Sequence, residues 1–598
     1  MRLPEALGAA YVPAPDGTFW IRPGNADGFW YSDGVDTERR LLDMVRQARD
    51  VAVGSMELAA AAADWPAIYH LTHERQNLLR PLEDTLAPRG GVVLEIGAGC
   101  GAITRYLGEL GREKGFEVLA LEGSASRAAV AAARCRDLDN VHVVADAIER
   151  FALPGPFAAV TLIGVLEYGD VIMPGGDGVG WLLDRAAALL AKDGLLVTAI
   201  ENQMGLKYLA GAPEDHLGTP YYGLNDVYGP GQPVTFGRLE LDGRLRRAGF
   251  AANRFLYPFP DYKMPTMIVT EAGAAARDMG LQALFLTAGA PSQGAAYLRL
   301  FSEERAWGVV HRNGLLPDLA NSFLVASSTG GRLSDTSAPG DAEVLCHIYS
   351  TARRRAFAKT TTLIRDSGGL RFERRALYPD APPVQGAITQ RIKTEPMIAG
   401  ELFAAGGIAR INRPGWTLRD LADWYAPFAV HLCQRARVTP AEATARGLLG
   451  VPLPKNHVDA VPLNAIRQED GSFRFFDLEW IAATPPPLGF VMLRGLFHLI
   501  SRLHSAASSQ EARNRSIFDL SVAILAEAGF PLSRREVEDA VFLETQLQRV
   551  VIGEAARRLV LRRMHLAPLF LRPDAMLDCW LAAQGRPPQG PEGSGQPG

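Results

Sequence analysis

The residues best suited to chemistry lie at the end of an apolar run. Val92-Val-Leu-Glu-Ile-Gly-Ala-Gly-Cys-Gly101 is a strand-like segment entering a turn with glycines at alternate positions, Gly97, Gly99 and Gly101. Each lets backbone approach a ligand where a Cβ would collide. Acids mark the ends of three apolar runs: Glu95 in this segment, Glu122 after 117–121, and Asp146 in Val143-Val-Ala-Asp-Ala147. In open α/β sheets, ligands bind outside the carboxyl ends of the strands, so this pattern describes one binding crevice.

A dinucleotide fingerprint is GxGxxG, whereas the spacing here is GxGxG with Glu95 close by. An acid there would repel a pyrophosphate and suits the ammonium group and cationic surroundings of a methionine moiety. The ligand this favours is S-adenosylmethionine. Glu122 can accept hydrogen bonds from both ribose hydroxyls, and Asp146 can reach an adenine amino group. The positioning elements alternate along the chain. Strands are expected at 92–96, 117–122, 141–145, 158–164 and 194–200, with helices at 103–110, 126–135 and 181–190. Regular alternation implies an α/β, doubly wound, Rossmann-like sheet that is mainly parallel.

Over 66–270 the sequence resembles the class I S-adenosylmethionine-dependent methyltransferases. The resemblance implies that Gly97, Gly99 and Gly101 line the cofactor, that Glu122 holds ribose, and that Asp146 with Ala147 sits by adenine. It also places 65–75 over the pocket, with Tyr69 and Arg75 as cofactor contacts, Arg75 toward a carboxylate. Methyl transfer is an in-line displacement, so the protein aligns the nucleophile, excludes water and, for a hydroxyl acceptor, removes a proton. Candidate bases are Glu167, Glu201, Glu214 and His216, the last three at the start and middle of a Gly/Pro/Tyr-rich loop over 201–236. His216 is the best chemical choice. An acceptor that is already anionic needs no base.

A second constellation lies downstream. His457-Val-Asp-Ala-Val-Pro-Leu-Asn464 is HxDx4N, and Asp477 follows Asn464 by thirteen positions in Phe475-Phe-Asp-Leu-Glu-Trp480. Phosphoryl transfer needs a carboxylate by the acceptor hydroxyl and oxygen ligands for magnesium. Asp459 fits the first role and Asn464 and Asp477 the second, with His457 bracing the loop. This stretch resembles the kinase-like fold, nearer to small-molecule phosphotransferases than to protein kinases, and implies ATP and Mg2+ as cofactors. Three strands are expected before it, but the loop at 351–355 lacks glycines. Lys359 is on the second strand and Arg374 on the third, where a phosphate-binding lysine belongs. Met397-Ile-Ala-Gly-Glu-Leu402 is the candidate hinge.

At 598 residues the chain is multidomain, and 47% hydrophobic with 21% charged residues marks a folded globular protein. A net charge of −4 argues against a broad nucleic-acid surface. Five scattered cysteines with no CxxC pair read as reduced thiols. The basic-then-apolar pattern of a secretory signal is missing from the first residues, so the expected address is cytoplasmic. The expected domains are an aromatic arm and helix (1–65, the helix at 37–63), the methyltransferase domain (66–272), a helical connector and linker (273–341), an α+β kinase-like domain (342–500), C-terminal helices (501–584) and a disordered tail (585–598). This architecture resembles bifunctional kinase/methyltransferases that cap bacterial O-antigen chains. That implies a glycan or sugar-phosphate substrate and glycosyltransferase partners. Leucines, valines and arginines interleaved over 537–571 suit either a helix packed on the kinase-like lobe or a peripheral membrane contact. Two further readings stay open: a metabolite methyltransferase with an inactive kinase-like lobe, and a non-catalytic scaffold.

Overall fold

Five apolar runs become five adjacent strands because each is buried on both faces, the situation of parallel strands covered by helices. The computed structural model describes residues 3–553, apart from 24–33, 87–89, 278–279, 289–296, 298, 331–332, 334–341, 504–505 and 513–514. A short hairpin, β1 (Val12–Pro13) and β2 (Trp20–Ile21), precedes the main strands. These are β3 (Val92–Ile96), β4 (Glu117–Glu122), β5 (Val141–Ala145), β6 (Phe157–Ile163) and β7 (Leu190–Glu201). They pair in parallel in the order β5-β4-β3-β6-β7, and β2 adds to β5, also in parallel. Helices Ala102–Lys114, Ala125–Arg134 and Gly178–Leu189 connect them. The direction of winding reverses between β3 and β6, which opens a crevice at their carboxyl ends.

Beyond β7 the sheet turns antiparallel. β8 (Ala252–Phe259) and β9 (Met267–Val269) form a hairpin, and β10 (Ser322–Ser328) inserts between β7 and β8. All seven residues of β10 are buried, and it is hydrogen-bonded on both sides. The ladder then crosses the expected linker. β11 (Glu343–Ser350) pairs with β9, followed by β12 (Lys359–Asp366) and β13 (Gly369–Ala376). β14 (Ile388–Gln390) lies elsewhere, while β15 (Glu395–Pro396) ends a sheet of 14 strands. Leu345, Cys346, Leu363 and Phe372 accordingly share one core with Leu94, Val160 and Phe323.

The second core gathers around helices Leu418–Arg435 and Leu488–Ser501, with Tyr425, Phe428 and Leu496 fully buried. β16 (Glu401–Leu402), β17 (Ala465–Arg467) and β18 (Phe473–Phe475) form a small sheet, and β19 (Trp480–Ala482) pairs with β14. Helices Ile517–Glu527 and Arg534–Ile552 follow. The tail 585–598 and the arginine-rich end of the 537–571 segment lie outside the described residues.

The helix expected over 37–63 is two helices, Val35–Gln47 and Met56–Ala61. Gly54 adopts a φ of +78° between them, and Ser55 caps the second by accepting from the Leu58 N–H. Cys100, Cys135, Cys346 and Cys433 are buried. Among the described residues no helix is long and apolar enough to cross a membrane.

Candidate functional site

The crevice holds a cavity lined by the glycine turn, Glu95, Glu122, Asp146, Ala147, Tyr69, Arg75 and Tyr168. Gly97, Gly99 and Gly101 have φ of +77°, +57° and +80°. A Cβ on Gly97 would lie 2.4 Å from Val165 Cγ2, and one on Gly101 2.7 Å from Ala131 Cα. The turn therefore requires glycine on both backbone and packing grounds. Gly99 N–H donates to Glu122 Oε2 at 2.6 Å and Ser124 N–H to Oε1 at 3.0 Å. Glu122 thus fixes the turn to the end of β4, and each oxygen keeps a further lone pair for a hydroxyl.

Glu95 is buried, and its Oε2 has no hydrogen-bond partner among the described residues. Burial raises it to about 8, against the opposing pull of Thr104 and Arg75. The Arg75 guanidinium lies 4.0 Å over the Tyr69 ring, and its Nη1 is buried without a hydrogen-bond partner. A desolvated carboxyl and a desolvated guanidinium in one cavity suit the ammonium and carboxylate of an amino acid. With the glycine cradle, this donor set fits S-adenosylmethionine.

Asp146 and Ala147 line the cavity side by side. The Asp146 carboxylate accepts from Tyr11 Oη at 3.0 Å, from Arg22 Nη2 at 2.6 Å and from Ala147 N–H at 3.0 Å. Asp146 lines the cavity, but its oxygens are engaged by the N-terminal arm. Arg22 and Tyr11 lie far from Asp146 in sequence, and no local spacing points to them.

Tyr168, which lines the cavity, is hydrogen-bonded on its far side to a buried cluster of ionisable groups. Glu167 follows β6, Glu201 ends β7, and His216 comes from the loop beyond. His216 Nε2 is 3.5 Å from Glu201 Oε2 and 4.0 Å from Glu167 Oε1, while its Nδ1 is 3.0 Å from Tyr168 Oη. Three candidates from separate segments are thus brought together, whereas Glu214 turns to cap the His216 and Leu217 N–H groups at 2.8 and 2.7 Å. Lys263 and Lys207, which the sequence did not single out, complete the cluster. Lys263 Nζ is 2.5 Å from Glu201 Oε1 and 2.5 Å from Asp215 Oδ1, and Lys207 Nζ is 2.6 Å from Asp215 Oδ2. Burial opposes charge on His216, but Glu201, Glu167 and Glu214 outweigh it and raise the imidazole to about 9. Burial and the Glu201 charge raise Glu167 to about 8. The carboxylates around His216 therefore favour its charged form.

In the second lobe Asp477 has a φ of +52°, a strained conformation for a non-glycine residue and one that concentrates at functional positions. Lys359 Nζ is 2.7 Å from Asp477 Oδ1 and 3.1 Å from Glu479 Oε2, and Arg374 Nε is 2.9 Å from Asp477 Oδ1. The two expected phosphate-binding cations therefore converge on Asp477 from neighbouring strands. Asn464 Nδ2 donates to the Asp459 carbonyl at 3.1 Å, and Phe476 N–H donates to the Asn464 carbonyl at 3.0 Å, drawing the two loops together. Asp459 and Asn464 line a further cavity with Arg353, Arg494, His498 and Arg502. Arg494 Nη2 holds Asp459 Oδ1 at 2.9 Å and its Nη1 holds Glu544 at 2.6 Å, so the C-terminal helix braces the loop. Burial and Arg435 push His457 down to about 4, as a neutral structural imidazole. In place of a glycine-rich loop, 351–355 sends Arg353 to Glu479 at 2.9 Å.

Residues 71–253 match a family model described as a methyltransferase domain. Among solved structures, the chain is similar to a SAM-dependent methyltransferase from Thermotoga maritima, 16% identical over 43% of this chain and 90% of that one, with a TM-score of 0.23. A SAM-dependent methyltransferase from Aquifex aeolicus is 18% identical over 32% and 87% of the two chains, with a TM-score of 0.23. Phosphoethanolamine N-methyltransferase 2 from Haemonchus contortus, solved with S-adenosyl-L-methionine, is 17% identical over 50% and 61%, with a TM-score of 0.27. No curated protein matches the sequence.

Proposed function

We propose that this chain is an S-adenosylmethionine-dependent methyltransferase acting on an oxygen of a bacterial surface-polysaccharide sugar or sugar phosphate. The kinase-like lobe would phosphorylate the same glycan terminus. The observation carrying the methyl-transfer reading is the glycine cradle facing two desolvated, unpartnered atoms, Glu95 Oε2 and Arg75 Nη1. When bound, S-adenosylmethionine supplies an electrophilic methyl group. Glu95 and Arg75 hold the ends of its amino acid, Glu122 the ribose, and the buried walls exclude water. At the acceptor end, Lys263 is already paired with Glu201 and Asp215, and His216 lies between Glu201 and Glu167. A sugar hydroxyl would need one of these groups as its base, whereas an acceptor that is already anionic, such as a sugar phosphate, needs none.

In the second lobe, Asp459 would face the acceptor hydroxyl, Asn464 and Asp477 would hold Mg2+, and Lys359 and Arg374 would face the phosphates of ATP. Asp477 is already paired with both cations. That pairing favours a second reading, in which the lobe is inactive and serves as a substrate or scaffold domain. We place the protein in the cytoplasm, working with glycosyltransferases, with the helix Arg534–Ile552 packed on the second lobe through Ala540 and Leu547 in preference to a peripheral membrane contact.

The test incubates full-length protein with labelled methyl donor, γ-labelled ATP and lipid-linked glycans. Both labels are expected on the glycan. Methyl label entering only small metabolites would sink the polysaccharide reading. Failure of the parent to bind Mg-ATP, or equal binding by Asp477→Ala, would establish the inactive-lobe reading.

A further inference from the structure

The cluster beyond Tyr168 contains more ligand capacity than its internal contacts use. Glu167, Glu201 and His216 each offer one ligand atom, and the three atoms lie within 4.8 Å of one another. Glu167 is fully buried, and neither of its carboxylate oxygens has a hydrogen-bond partner among the described residues. His216 Nε2 likewise lacks a hydrogen bond. Burying a carboxyl group with both oxygens unsatisfied is costly and is ordinarily compensated by a ligand or a cation.

The surrounding contacts leave the correct atoms available. Tyr168 Oη occupies His216 Nδ1 at 3.0 Å, the arrangement by which an outer partner fixes an imidazole for ligation through its other nitrogen. Lys263 takes Glu201 Oε1 at 2.5 Å, leaving Oε2 on the His216 side.

We infer that Glu167, Glu201 and His216 bind a divalent cation at the acceptor end of the methyl-donor cavity. One imidazole and two carboxylates suit Mn2+ or Zn2+ better than Ca2+, which prefers an all-oxygen shell. Three protein ligands leave positions open for oxygens of a substrate. Tyr168 also lines the donor cavity, so those positions would serve an acceptor with paired oxygens, a vicinal diol or a phosphate. This role rests on the methyltransferase reading; binding of the ion does not.

The test strips the full-length protein with a chelator and titrates it with Mn2+, following the free ion by electron paramagnetic resonance. One saturable ion per chain is expected, displaced by Zn2+, with spin-echo modulation from one imidazole nitrogen. Glu167→Gln and His216→Gln are each expected to weaken binding by about tenfold or more. Absence of saturable binding, absence of nitrogen coupling, or unchanged affinity in both variants overturns the inference. The nitrogen coupling is read on the parent, so a variant that fails to fold leaves the test intact. Binding of the methyl donor by metal-free protein is measured separately: its failure alongside intact Mn2+ binding would count against the donor reading and not against the ion.

Discussion

Glu95 ties the chemistry of the donor cavity to the stability of the fold. Its folded value of about 8 lies above the unfolded value near 4.5, so the native state holds a proton that the unfolded chain releases between these limits. Stability therefore falls as pH rises through that window, by up to about 1.4 kcal/mol per pH unit for one proton. Thermal unfolding of the apoprotein from pH 5 to 8 is expected to show this fall, and Glu95→Gln should flatten it. An unchanged slope in the variant would show that the carboxyl is not the group responsible. At Gly97 the constraint is steric. An alanine there meets Val165 and keeps an unfavourable positive φ. We expect Gly97→Ala to lower stability by about 1–3 kcal/mol and to weaken methyl-donor binding at least about tenfold in calorimetric titration.

At the scale of elements, the 3-10 turn Arg75–Leu78 acts as a strut between the donor cavity and the second lobe. Asn77 Nδ2 donates to the Pro265 carbonyl at 3.0 Å and to Thr351 Oγ1 at 2.9 Å, while Arg75 on the same turn faces the cavity. Asn77→Ala leaves buried acceptors unpaired, at a cost of about 1–3 kcal/mol, and is expected to weaken donor binding although Asn77 does not line the cavity. Unaltered affinity would show that Arg75 is positioned without it. Element patterns were legible where spacing is local. The GxGxG turn, the acids at successive strand ends and the apolar runs themselves were readable because a strand end and its turn are neighbours in sequence. Non-local relations were not. Arg22 on Asp146 and Lys263 on Glu201 carry no periodicity that could announce them. The acids Glu167 and Glu201 and the histidine His216 were readable as candidates from their positions, but their meeting point depends on how the 201–236 loop folds back.

At the scale of the whole molecule, the main sheet is continuous across the stretch whose composition suggests a linker. The Gly/Ser/Thr-rich stretch at 329–341 reads as a linker, yet β9 and β11 on its two sides are hydrogen-bonded neighbours, with Val269 opposite Cys346. Strand order across a sheet is set by tertiary packing, which local composition does not encode. A chain ended after Ser328 would expose the edge of β9 and remove Leu345 and Cys346 from the main core. We expect it to aggregate or to melt well below the full chain, whereas one ended after Ala376 should be more soluble. A stable monomer of the shorter chain, matching the parent in its unfolding midpoint, would refute this. The inserted strand β10 has a further consequence, for the ribosome. β7 and β8 leave the exit tunnel well before β10 does, and the two can join only through it. The sheet must therefore wait half-built, with the β7 edge unpaired, while more than a hundred residues are added. During that nascent interval the bare β7 edge is open to pairing with other chains.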